Sequence, residues 1–177
     1  MIDLKLPARK NNRLKGFDYS QNGVYFITIC TQNKINLFGD IIVGADLVSA
    51  RMKLNTAGQM IERVYREVIS SFDNIVSDHF VIMPNHVHGM ISIQRADTRS
   101  APTTAVTIGR VVQAFKSKTT VAYIRGVKNG SFLAFQKRLW QRNYYEHIVR
   151  DEDDYIIKWN YINENPARWT EDDEWRN

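Results

Sequence analysis

Two histidines one residue apart, in the run MPNHVH (83–88), are the first residues whose spacing could do chemistry. On an extended strand successive side chains alternate, so His86 and His88 project to one side and Val87 to the other, and two imidazoles converge on one point. A divalent ion held there by two nitrogens would keep open positions for substrate oxygens. Two surface imidazoles on a half-exposed strand satisfy the same spacing, and a bare His-x-His does not decide between them. The other histidines, His79 and His147, read as structural or surface residues, His147 reaching the site only if its strand neighbours the pair. The single cysteine, Cys30, excludes an intrachain disulfide and leaves no Cys cluster for structural zinc.

A second group lies in KWNYINENP (158–166). Lys158 precedes Tyr161 by three residues and Asn165 follows it by four, so a helix stacks all three on one face. The core face of that helix is expected to be Tyr155, Ile156, Trp159 and Ile162. Tyr161 is then either a poised nucleophile or a cover for the rim of the core, with Asn165 ending the helix before Pro166.

The elements that must position these groups can be read from periodicity. VYFITICTQ (24–32), rich in β-branched and aromatic residues, predicts a buried strand. Residues 54–72 place Ala57, Met60, Ile61, Val64, Val68 and Ile69 at helical spacing. Residues 75–83 and 86–94 are strand-like and separated only by Pro84-Asn85, which predicts a hairpin. The small, polar stretch at 95–104 predicts a loop. A second helix runs from Thr107 through Ile108, Val111, Val112, Phe115, Ala122 and Tyr123, residues 139–149 predict a further strand, and residues 151–166 a last helix whose acidic start suits its dipole. The order β, α, β-hairpin, α, β, α predicts an α+β fold, an antiparallel sheet with helices packed on one face in the ferredoxin-like manner, and a free opposite face.

A chain of 177 residues buries a core as one domain, and no apolar run approaches the ~20 residues that span a bilayer. The start lacks a secretory signal, so the cytoplasm is the expected compartment. The formal charge of +5 is compatible with a polyanion. Its distribution says more: a basic arm over residues 1–20 containing Arg13 and Lys15, further cations at Lys116, Lys118, Arg138 and Arg142, and an acidic tail at 170–177. Trp140, Tyr144 and Tyr145 could stack on bases, or Trp140 and one of the tyrosines could be core.

NRLKGFDYS, YFITICT, MPNHVH, FKS, WQRNYYEHIVRDEDD and YINENP, in this order, resemble the single-tyrosine HUH transposases and among them the REP-associated tyrosine transposases. The resemblance implies an HUH nuclease fold, a metal site of His86, His88 and Asn165 for Mg²⁺ or Mn²⁺, and Tyr161 as the nucleophile. It implies a metal-dependent endonuclease and strand transferase that cleaves single-stranded DNA beside a REP-like hairpin, read with a short flanking guide, through a 5′-phosphotyrosine. Arg13, Lys15, Lys116, Lys118, Arg138, Arg142 and Lys158 are the expected DNA contacts, Lys158 alternatively favouring the phenolate of Tyr161. A DNA substrate would place the protein at the nucleoid. A monomer is expected, the dimer of insertion-sequence relatives being the alternative, and a domesticated, non-catalytic DNA-binding protein is the alternative function.

Overall fold

The computed structural model describes residues 18–19, 21–44, 50–94 and 106–169. Arg13 and Lys15, the loop at 95–104 and the acidic tail lie outside the described residues.

Strand β1 (Gly23–Cys30) pairs antiparallel with β5 (His86–Ile93) on one side and β6 (Tyr145–Val149) on the other. Strand β4 (Ile75–Ile82) completes the four-stranded order β4-β5-β1-β6, with the expected β4-β5 hairpin turning through Pro84-Asn85. Alternation then sorts the side chains. Tyr25, Ile27 and Ile29 of β1, with Val87, Ile91 and Ile93 of β5, are buried against helices α1 (Thr56–Ser70) and α2 (Ile108–Lys128). Those helices contribute Met60, Ile61, Val64 and Val68, and Val111, Val112 and Phe115, the apolar faces their periodicity predicts.

The opposite face is not bare. Helix α3 (Glu152–Arg168) lies against it, and Ile162 forms a smaller cluster with Phe26 and Met90. The Asp151 side chain caps α3 by accepting from Asp154 N at 2.8 Å, and Glu152, Asp153 and Asp154 fill its first turn, where the helix dipole favours anions. Two expectations about this helix change. Ile156 is 48 % exposed, so the face turned to the sheet carries Tyr161, Ile162 and the buried Asn165 in its place. Pro166 does not end α3 but lies in its last turn, where a missing N–H forfeits a single helical bond.

The predicted strand over 139–149 is only β6. The Lys116 ammonium donates to the carbonyls of Gln141, Arg142 and Asn143 at 2.9, 3.3 and 3.0 Å. Three successive carbonyls converging on one cation cannot belong to a strand, in which they alternate. Burial lowers the Lys116 pKa to about 8. The expectation that Lys116 tracks phosphate is therefore set aside, because its three N–H donors already hold its own chain. Lys116→Met is expected to lower stability by about 1–3 kcal/mol through the unpaired carbonyls, which urea melts would read. Trp140 is core, its indole N–H donating to Thr119 Oγ1 at 2.9 Å.

A two-stranded ribbon of β2 (Gly39–Val43) and β3 (Ala50–Leu54), not among the expected elements, lies between β1 and α1 in the chain. Its alternation is weak because it is only partly covered. Gly39, at φ +139°, is required there: a Cβ would sit 2.1 Å from the Lys53 carbonyl oxygen.

Candidate metal and nucleophile site

His86 and His88 face α3, as the alternation with Val87 requires, and both are 0 % exposed. They are not surface imidazoles. Their Nε2 atoms lie 2.9 Å apart, and each ring is held from behind at Nδ1, His86 by Asn85 Oδ1 at 2.8 Å and His88 by Thr28 Oγ1 at 2.8 Å. Thr28 reaches His88 because the two are directly opposite in the β1-β5 register. Asn85 is anchored in turn, its Nδ2 donating to Lys34 O at 2.9 Å and its carbonyl accepting from Thr31 N at 2.8 Å.

The proton positions follow. Because Asn85 Nδ2 is the donor to Lys34, Oδ1 is the atom facing His86, and His86 Nδ1 must carry the proton. His86 Nε2 is then a lone pair that accepts from His88 Nε2–H, and the Thr28 hydroxyl donates to His88 Nδ1. Burial opposes any second proton: the His86 pKa is pushed down to about 3, the Asn165 hydrogen bond opposing and the Lys34 charge adding to the shift. His88 is held well below its ordinary value by burial and then by His86.

This neutrality has a measurable consequence. Below an ordinary histidine pKa of about 6.5 the unfolded chain takes up protons that the fold refuses. In chelator, stability is expected to fall as pH drops from about 6.5 toward 5, by up to about 1.4 kcal/mol per pH unit for each histidine. Urea midpoints across that range would check it; a flat profile would mean the imidazoles accept protons in the fold.

Helix α3 covers the pair. The Tyr161 ring meets His88 edge-on, centroids 5.2 Å apart, and meets Phe26 edge-on at 5.8 Å, while Phe26 stacks on His88 at 5.4 Å. Asn165, 3 % exposed, hydrogen-bonds His86, and the Trp169 ring lies 5.8 Å from it. Lys158 places its ammonium 5.5 Å from the centre of the Phe26 ring. The structure thus brings together His86, His88, Tyr161, Asn165 and Lys158. Lys118 is exposed on α2, beyond the sheet, and Arg138 and Arg142 are exposed in the segment before β6. Of the three aromatics considered for bases, Tyr145 remains substantially exposed, and Tyr144 packs on the core.

Two imidazole nitrogens beside an amide can hold a divalent ion, although the nitrogens by themselves do not select Mg²⁺ or Mn²⁺, which favour oxygen donors. Two Nε2 atoms 2.9 Å apart would both face one bound ion, and Nδ1 partners that orient the rings are the usual support of metal-bound imidazoles. Among the described residues there is no group of three or more His, Cys, Asp or Glu that could hold a metal. The polar groups gathered here are the two imidazoles and the Asn165 amide beside His86. Binding through both Nε2 atoms requires the His88 proton to move to Nδ1, with Thr28 turning from donor to acceptor. A hydroxyl can do both and a methyl cannot. Thr28→Val is expected to weaken Mn²⁺ binding by about tenfold and, because the buried His88 Nδ1 loses its Thr28 partner, to lower stability by about 1–3 kcal/mol, as calorimetry would show.

Thr28 and Asn85, which hold the two rings from behind, are not among the expected site residues. Asn85 was visible beside His86 but read as a turn residue, and Thr28 carries no signal until strand register sets it opposite His88.

No helix among the described residues is long and apolar enough to cross a membrane. No family model matches the chain. It is 38 % identical to an uncharacterized protein of Haemophilus influenzae, over 93 % of this chain and 91 % of that one. A solved structure of a REP-associated tyrosine transposase bound to a REP hairpin superposes with a TM-score of 0.57 at 18 % identity, over 86 % of this chain and 72 % of that chain. The chain therefore belongs to one family with the Haemophilus influenzae protein, and its fold is that of the REP-associated tyrosine transposase.

Proposed function

We propose that the protein is a single-tyrosine DNA strand transferase that cuts single-stranded DNA beside a hairpin and holds the 5′ end on Tyr161. The observation that carries this reading is the placement of the Tyr161 ring 5.2 Å from His88, beside two neutral imidazoles whose Nε2 atoms share one point. His86, His88 and Asn165 would hold the Mg²⁺ or Mn²⁺ ion. When bound, the ion neutralises charge on the scissile phosphate.

Tyr161 supplies the nucleophile. Its phenolic oxygen bonds to phosphorus, the bond to the 3′ oxygen breaks, and that oxygen leaves as a hydroxyl after gaining a proton, so the ester conserved on tyrosine can be returned to another strand. Lys158, one turn earlier, lies beside the same Phe26 ring, and in this reading its ammonium would meet the DNA phosphate. Because the pair is fully buried, a phosphate reaches it only when the rings of Tyr161 and Trp169 turn aside. Phosphate contacts outside the site fall to the basic arm with Arg13 and Lys15 and to Lys118, Arg138 and Arg142. The flanking guide and a monomeric state belong to the same proposal.

A second reading, a non-catalytic DNA-binding protein on this fold, is favoured by that same closed burial, in which each imidazole already has partners. Labelled single-stranded hairpin oligonucleotides, Mn²⁺ and a denaturing gel separate the two. A protein-linked DNA band supports strand transfer. Cleavage with no band means hydrolysis by water, and tight binding with neither moves the assignment to the second reading.

A further inference from the structure

All four histidines of the chain face α3, and only two of them form the pair. His79 lies on edge strand β4 and His147 on the opposite edge strand β6. Each holds the helix. His147 Nε2 bonds the Asp154 carboxylate, at 2.7 and 3.0 Å to its two oxygens, and the same carboxylate accepts from Arg150 N. His79 bonds Asn163 Oδ1 at 2.8 Å and stacks on Trp159 with centroids 4.3 Å apart. One imidazole therefore grips residues a helical turn apart, a contact that resists rotation about the helix axis.

The spacing matches the sheet. Asp154 and Asn163 are nine positions apart, about 13 Å along a helix at ~1.5 Å per residue. Strands β6 and β4 are three spacings apart, about 14 Å at ~4.8 Å each. Between the two holds, Lys158 lies over Phe26 of β1 and Tyr161 over His88 of β5. His79 reaches its position through a bulge: the β4-β5 register shifts between Ser77 and His79. In a regular strand those residues would share a face. Here Ser77 points to α1, bonding Tyr65 at 2.7 Å, and His79 points to α3.

We propose that His79 and His147 are positioning residues that fix α3 in register, so that Tyr161 is held over the His86–His88 pair; the catalytic consequence rests on the strand-transfer reading above. The packing of Ile162 and the Asn165 bond hold the middle and end of the helix against the sheet, and holds on opposite edges add resistance to sliding and rotation.

His79→Ala and His147→Ala, in the full chain, test this by two readouts. Amide hydrogen exchange across Glu152–Arg168 is expected to rise about tenfold in each variant with α1 and α2 unchanged. The rate of covalent adduct formation is expected to fall at least about tenfold, with hairpin affinity within about twofold of the parent. His147→Gln, which still reaches Asp154, is expected to recover part of both. Where an alanine variant fails to fold, Asp154→Asn supplies the milder loss of the same hold. Unchanged exchange in α3, or a rise spread equally over the whole chain, overturns the proposal. If the parent protein forms no adduct, the strand-transfer reading fails by itself, and the exchange pattern still decides whether the two histidines hold the helix.

Discussion

Tyr161→Phe is expected to abolish the covalent protein–DNA product, lowering its rate of formation by at least about a thousandfold, while leaving the fold and hairpin binding intact. Phenylalanine keeps the ring that meets His88 and Phe26 edge-on, and Tyr161 is only half-buried, so packing changes little. What is lost is the oxygen that the proposed strand transfer bonds to phosphorus. A denaturing gel with labelled hairpin DNA and Mn²⁺ reads the result, and thermal melting confirms the fold. Adduct persisting in the variant would move the nucleophile elsewhere, and Tyr145, exposed on β6 and facing Phe26 edge-on at 6.2 Å, would be the next residue to replace.

The second large effect is expected from His88→Ala. Removing this ring takes away one of two nitrogens at the candidate metal site, and Mn²⁺ binding by calorimetry should fall by at least about a hundredfold. Stability should fall as well, by about 2–4 kcal/mol, because the cavity opens between Phe26, Tyr161 and His86 and the Thr28 hydroxyl loses its partner. The two losses separate by temperature: in the cold, where the variant stays folded, metal binding and adduct formation should still be absent. Unchanged Mn²⁺ affinity in folded His88→Ala would remove the pair from any metal site and leave it as a buried structural contact.

Much of this arrangement was legible from local pattern. The His-x-His spacing required both imidazoles on one side of β5, and the i, i+4 spacing required Tyr161 and Asn165 on one side of α3. Both held because the period of a strand and that of a helix are local backbone properties. The helical faces of α1 and α2 and the β4-β5 hairpin were readable for the same reason.

Which faces meet was not a local property. Ile156 was read as core because it is apolar, yet the sheet takes the side of α3 with Tyr161 and Asn165, since Phe26, Met90 and the histidines on that face offer both apolar rings and hydrogen-bonding partners. Lys116 was read as a phosphate contact because it is basic, yet the turn at 141–143 sets three carbonyls around it. The sequence by itself determined the two chemical groups, the histidine pair and the tyrosine with its asparagine, together with the elements that carry them. Only the tertiary structure decided that Thr28 stands behind His88, that a bulge turns His79 toward α3, and that His147 meets Asp154. Those contacts depend on strand register and on the path of one helix across four strands, and neither is encoded in the spacing of neighbouring residues.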